Sequence, residues 1–128
     1  MYPNALNVYK NNSVNYASKE QLLLMLVDGA VKYSKQSKDA IEKKDIKKAH
    51  EYLTRTQDVF TELMISLDRG AGDWAENMFK IYDFIKSELA MINIKKDIER
   101  LDKIIPIIED VQDTWHKAYQ LSKNSNIG

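Results

Sequence analysis

Ser18-Lys19-Glu20-Gln21-Leu22-Leu23-Leu24-Met25-Leu26-Val27-Asp28-Gly29-Ala30-Val31-Lys32-Tyr33 is the stretch on which the fold turns. It opens with the S-x-x-Q spacing of a capping box, in which the Ser18 hydroxyl and the Gln21 amide each satisfy an orphan backbone N–H. From there Leu22, Leu26, Gly29, Ala30, Tyr33, Ser37, Ala40 and Ile41 return at intervals of three and four, one face of a helix. Leu23, Met25, Val27 and Val31 widen that face beyond a two-per-heptad stripe. A helix apolar over so much of its girth must be covered on more than one side. Gly29 costs about 1 kcal/mol against alanine inside a helix, so its expected use is to let another backbone come close.

Working outward, Glu42-Lys43-Lys44-Asp45 reads as a short connection with Asp45 as the next N-cap. The second helix carries Ile46, Ala49, Leu53, Thr56, Phe60, Leu63 and Leu67 and is expected to run to Arg69. Gly70-Ala71-Gly72 is the one glycine-rich break, and Asp73 is the expected N-cap of a third helix striped by Trp74, Met78, Ile81, Tyr82, Ile85, Leu89 and Ile92. The pattern lapses from Asn93 to Lys96. A fourth helix follows from about Asp97, with Ile98, Leu101, Ile105, Ile108, Val111, Trp115 and Tyr119 inside. Pro106 deletes one backbone bond there, but the stripe keeps its phase across it, which favours a kink over two helices. The tetrapeptide Lys-Lys-Asp-Ile occurs at 43–46 and again at 95–98, each time opening an even-numbered helix.

Four helices with short loops run up, down, up, down, because short connections force antiparallel neighbours. The expected architecture is an all-α antiparallel up-down four-helix bundle. It divides into a short N-terminal arm (1–17), the bundle (18–121) and a frayed tail (122–128). Composition agrees. Only four glycines and two prolines in 128 residues leave too few turns for a sandwich or barrel. Nineteen basic residues balance nineteen acidic ones, which argues against a nucleic-acid partner. No apolar run is long enough to cross a membrane, and MYPNALNVYK lacks the basic and apolar regions of a secretory signal. With no cysteine in the chain, a cytoplasmic protein is expected.

The sequence offers little bond-breaking chemistry, and no enzyme is expected. A di-iron bundle needs inward Glu residues and two Glu-x-x-His pairs; the nearest match, Asp113-x-x-His116, has the wrong carboxylate and no partner. Met25 with His116 names a pair of haem ligands without anything to select them. Gly70-Ala71-Gly72 lacks the strand, the third glycine and the Lys-Ser/Thr of a phosphate loop. No cofactor and no metal are expected. Lys32 to Lys48 is locally basic and Asp97 to Asp113 locally acidic, which reads as solvated faces able to steer a charged partner.

What remains is apolar surplus. Seven tyrosines and the widened first helix exceed the needs of one seam. Either all of it is core, or part forms a groove for a partner's amphipathic or extended segment, with Met25, Met64, Met78 and Met91 as adaptable lining. The arm is asparagine-rich, but Tyr2, Leu6, Val8, Tyr9, Val14 and Tyr16 interrupt its polarity, so it reads either as a frayed terminus or as an arm that docks reversibly.

Tyr9, Val14, Ala17-Ser18, Leu22, Met25-Leu26 and Asp28-Gly29-Ala30 together resemble the opening signature of the flagellar secretion chaperones (FliS). Leu63, Ser66-Leu67-Asp68, Ala75, Asn77, Tyr82-Asp83, Leu89 and Thr114-Trp115 continue the resemblance in the family's order. The chain departs from it at Tyr16, Lys19 and Val27, where the family commonly has Thr, Pro and Tyr, and the Arg69–Asp73 loop and Trp74 are also atypical of it. The resemblance implies a cytoplasmic chaperone that holds the disordered C-terminal segment of flagellin, blocks premature polymerisation and delivers flagellin to the flagellar type III export gate without ATP. The residues expected to meet that partner are Tyr9 and Val14 on the arm, Leu22, Leu23, Leu26, Gly29, Ala30 and Tyr33 on the first helix, and Asn77 and Tyr82 on the third. The free protein is expected to be a monomer or weak homodimer. The reading from another class is a structural or dimerising four-helix module whose apolar surplus is a subunit interface.

Overall fold

Both helix-start signals close in the computed structural model, which describes residues 18–127, with side chains through Asn124. Gln21 N–H donates to Ser18 Oγ and Ser18 N–H to Gln21 Oε1, at 3.2 and 2.9 Å. That box opens α1, Lys19–Glu42. Asp45 accepts from Lys48 N–H and opens α2, Ile46–Ser66. A single 3-10 turn, Arg69–Ala71, leads to α3, Asp73–Lys95, and a short corner at Lys96 and Asp97 leads to α4, Ile98–Ile127. The expected boundaries shift in three places. α2 stops at Ser66, and Asp68 caps the 3-10 turn through Gly70 N–H. Gly72, at φ 136°, is the N-cap of α3, and Asp73 is already its first helical residue. α4 continues through Pro106 as one helix and runs past residue 121 to Ile127.

The repeated Lys-Lys-Asp-Ile forms the same turn twice. Lys44 and Lys96 both stand in the left-handed region, at φ 58° and 52°. Asp45 and Asp97 then cap the following helix by accepting from Lys48 and Arg100 N–H. Helix stop and helix start are thus packed into four residues.

Cross-links fix the helix directions. Asp28, Lys35 and Lys38 of α1 meet His116, Glu109 and Asp102 of α4, so the numbers rise on one helix as they fall on the other. His50 at the start of α2 reaches Asn93 near the end of α3, and Glu88 of α3 holds Arg100 of α4 through two bonds. Each helix packs on its sequence neighbours, α1 also closes on α4, and the α3–α4 seam is the thinnest. This is the antiparallel four-helix bundle. The basic and acidic stretches largely face each other across the α1–α4 seam; these ion pairs are exposed and contribute little stability each.

Leu53, Phe60, Ile85, Leu89, Ile92 and Leu101 are fully buried, each contributing roughly 1.5–3 kcal/mol of transfer free energy. The buried face of α1 is Val27, Ala30, Val31, Ser34, Ser37 and Ala40, rotated from the expected stripe. Ser34, Ser37 and Thr56 satisfy their hydroxyls on carbonyls three or four residues back, so small polar residues enter the core without orphaned groups. The rotation leaves Leu22, Leu23 and Leu26 only half-buried. On α3, Trp74 and Ile81 were expected inside but are exposed, and so is Ile46 at the start of α2. Tyr82, Ile85, Leu89 and Ile92 of the expected α3 stripe are buried, joined by Ala75.

Candidate functional site

In an up-down bundle the start of α1, the end of α2, the start of α3 and the later part of α4 share one end. An apolar cleft of about 480 Å³ opens there. Leu22, Leu23 and Leu26 from the first turns of α1 form one wall, and Leu63 and Leu67 at the end of α2 another. Trp74, Tyr82 and Trp115 close the third side, while Lys19, Glu20, Ser66 and Asp68 stand at the rim.

The aromatic wall is built across the α3–α4 seam. Trp115 Nε1–H donates to Tyr82 Oη at 2.7 Å, and the Trp74 and Trp115 rings meet edge-on with centroids 6.0 Å apart. Tyr82 is also tilted against Phe60, at 6.0 Å, which anchors it in the core. Burial pushes the Tyr82 phenol up to about 12, only partly offset by its bond to Trp115. It stays a neutral phenol at physiological pH.

The lip between α2 and α3 is braced. The Arg69 guanidinium lies 3.8 Å from the Phe79 ring centroid and holds Glu76 by two bonds of 2.6 and 3.2 Å. That bond draws the Glu76 carboxyl below its usual range. Gly72 supplies a φ that L side chains rarely adopt, and a methyl there would meet Trp74 Cδ1 at 3.4 Å. The glycine break therefore sets both the turn and the place of Trp74.

Of the residues expected to meet a partner, Leu22, Leu23, Leu26 and Tyr82 come together in this cleft. Tyr33 lies farther along α1, stacked on Tyr52 at 6.4 Å with Arg55 over both rings. Gly29 is half-buried, and a methyl there would meet only Tyr33 Cε2, at an ordinary 3.6 Å; among the described residues no other backbone approaches it. Ala30 packs in the core and does not line the cleft. Asn77 is exposed, about one turn beyond Trp74. Tyr9 and Val14 lie outside the described residues, as does the arm as a whole. Leu63, Leu67, Trp74 and Trp115 line the cleft without having been expected there. Periodicity assigns all four to core stripes; the signal that finds them is positional, since Leu63, Leu67 and Trp115 belong to the same ordered set of matches as Leu22 and Tyr82.

Among the described residues no helix is long and apolar enough to cross a membrane, and no cluster of His, Cys, Asp or Glu is placed to hold a metal ion. Comparison with known proteins gives the arrangement its context. The family model described as flagellar protein FliS matches residues 2–122. The flagellar secretion chaperone FliS of Bacillus subtilis (strain 168) is 31% identical over 125 residues, covering 98% of this chain and 93% of the relative. The Vibrio cholerae protein of the same name is 32% identical over 117 residues, covering 87% and 85%. A crystal structure of a bacterial flagellar chaperone shares the fold at a TM-score of 0.73 and 16% identity, covering 94% of this chain and 98% of the other. The helices, their order and this run of relatives place the chain in the FliS family of flagellar secretion chaperones.

Proposed function

We propose that this chain holds the disordered C-terminal segment of flagellin in the cytoplasm, blocks its premature polymerisation and presents it to the flagellar type III export gate. The observation that carries this reading is the cleft: the bundle leaves Leu22, Leu23, Leu26 and Trp74 incompletely covered around about 480 Å³ of open space. A disordered segment that orders on binding loses roughly 1–2 kcal/mol of backbone entropy per residue, so its receptor must offer long apolar surface in return. In this reading Leu22, Leu23, Leu26 and Trp74 offer that surface at the bundle's end, Tyr82 lines the cleft behind them, and Asn77, exposed about one turn beyond Trp74, bonds a bound backbone. The family works without bond-breaking chemistry, and nothing in this cleft calls for any.

Titration of a labelled flagellin C-terminal peptide into the full chain tests the reading, with sizing of the mixture as a second readout. A one-to-one heterodimer is expected. A protein that self-associates and ignores the peptide would instead be a dimerising module. The arm enters the bundle at Ser18, beside Lys19 and Glu20 on the cleft rim. In the proposed scheme it competes with flagellin, so deleting residues 1–15 tightens peptide binding; unchanged affinity removes the arm from the scheme.

A further inference from the structure

The cleft has apolar walls, yet its aromatic side carries one polar donor with work left to do. Tyr82 is 1% exposed, and its oxygen accepts Trp115 Nε1–H. No described residue accepts the phenol's own proton. A buried hydroxyl that leaves its proton unspent is costly, so native proteins nearly always give such a proton an acceptor. Trp115 occupies one side of the oxygen and turns the proton away from itself. Both residues line the cleft.

We propose that Tyr82 donates this proton to a backbone carbonyl of the guest, and that Trp115 is the positioning residue that holds the hydroxyl in the donating orientation. The inference rests on the proposed peptide-binding role and specifies its chemistry. Side chains that suit walls of Leu22, Leu23, Leu26 and Leu63 are themselves apolar, which leaves the guest's main chain as the acceptor. Carbonyls in the middle of a helix already accept from their own helix; those of extended backbone and of a helix's last turn do not. The guest therefore passes Tyr82 as extended chain or as a helix C-terminus, not as the middle of a helix. High burial keeps the phenol protonated, so the bond is insensitive to pH across the physiological range.

The test uses the full chain and labelled flagellin C-terminal peptides, in which single backbone amides are replaced by esters to weaken one carbonyl at a time. Tyr82→Phe keeps the ring and removes the donor; it is expected to weaken the parent peptide about five- to tenfold, the value of one hydrogen bond. One ester position, or two adjacent ones, should weaken binding to the wild type by a similar factor and add nothing in Tyr82→Phe. Trp115→Phe should give a smaller loss and shrink the same ester penalty, which a purely structural role would leave unchanged. The ester series on the wild-type chain needs no variant to fold, and a flat series overturns the inference. So does a folded Tyr82→Phe chain that binds the parent peptide as tightly as wild type. A wild-type chain that ignores the parent peptide removes the functional reading itself, and this inference with it.

Discussion

Trp74→Ala separates the two uses of one ring. Trp74 is 51% exposed in the free protein, with its other half packed at the mouth of the cleft against Trp115. A tryptophan side chain offers roughly 200 Å² for burial. About 100 Å² therefore remains for a guest, and at ~25 cal/mol per Å² it contributes about 2.5 kcal/mol, on the order of a 50-fold effect on Kd. The packed half reads out differently. Its lost burial and edge-on contact cost the free chain about 3–4 kcal/mol, offset by a few tenths because alanine is the better helix former. Leu89→Ala is the control: this side chain is fully buried and does not line the cleft, so stability should fall by about 2–5 kcal/mol while affinity of the folded fraction holds. Urea melts followed by circular dichroism give the first quantity, and fluorescence anisotropy of a labelled flagellin peptide gives the second. A folded Trp74→Ala chain with the wild-type Kd would refute the claim that the cleft mouth is where the guest docks.

Two further outcomes follow from particular residues. Gly29→Ala should stabilise the free chain by up to about 1 kcal/mol, since the new methyl meets only the edge of Tyr33 at 3.6 Å; a weaker peptide affinity in the same variant would show a bound backbone passing close to that face, and an unchanged one would exclude it. The second concerns alkaline stability. Tyr82 holds its proton to about 12 when folded but ionises from its ordinary value of 10.0 when unfolded, so its contribution is complete below pH 10 and is lost as pH rises towards 12. The loss is on the order of 2–3 kcal/mol, and Tyr82→Phe should remove it; parallel alkaline titrations of the two chains' unfolding free energy would expose the error if the curves coincide in slope.

The fold was legible because its signals are local. The Ser18–Gln21 box, the Asp45 cap and the glycine break are each decided within a few residues, and the structure realises all three. The rotation of the α1 stripe was not legible. Val27 and Val31 were already in the widened apolar face, and α1 does pack on both α2 and α4; but no period within one helix says how two neighbours divide its circumference, so the burial of Ser34 and the half-burial of Leu22 and Leu26 could not be read. Trp74 shows the same limit from outside. As an isolated position it belongs to the apolar stripe of α3, yet at the first turn of that helix there is no longer a neighbour deep enough to cover it. The acidic and basic stretches were visible as composition, but their pairing through Lys35–Glu109 and Lys38–Asp102 depends on the register between α1 and α4.

The location of the cleft follows from the same geometry. A four-helix bundle buries side chains best at its waist, where each helix has neighbours on two sides, and worst at its ends. At most bundle ends polar residues resolve the mismatch. This chain instead places three leucines on the first turns of α1 and two tryptophans opposite them, with Arg69 bracing the lip. Replacing those residues with polar ones would leave the waist, and hence the fold, intact. In the proposed scheme the exposed part of their apolar surface contributes only when another chain completes the packing. The Tyr82–Trp115 bond fits that division: in the free protein the phenol oxygen satisfies the Trp115 N–H, and in the proposed scheme its own proton is left for a carbonyl of the guest.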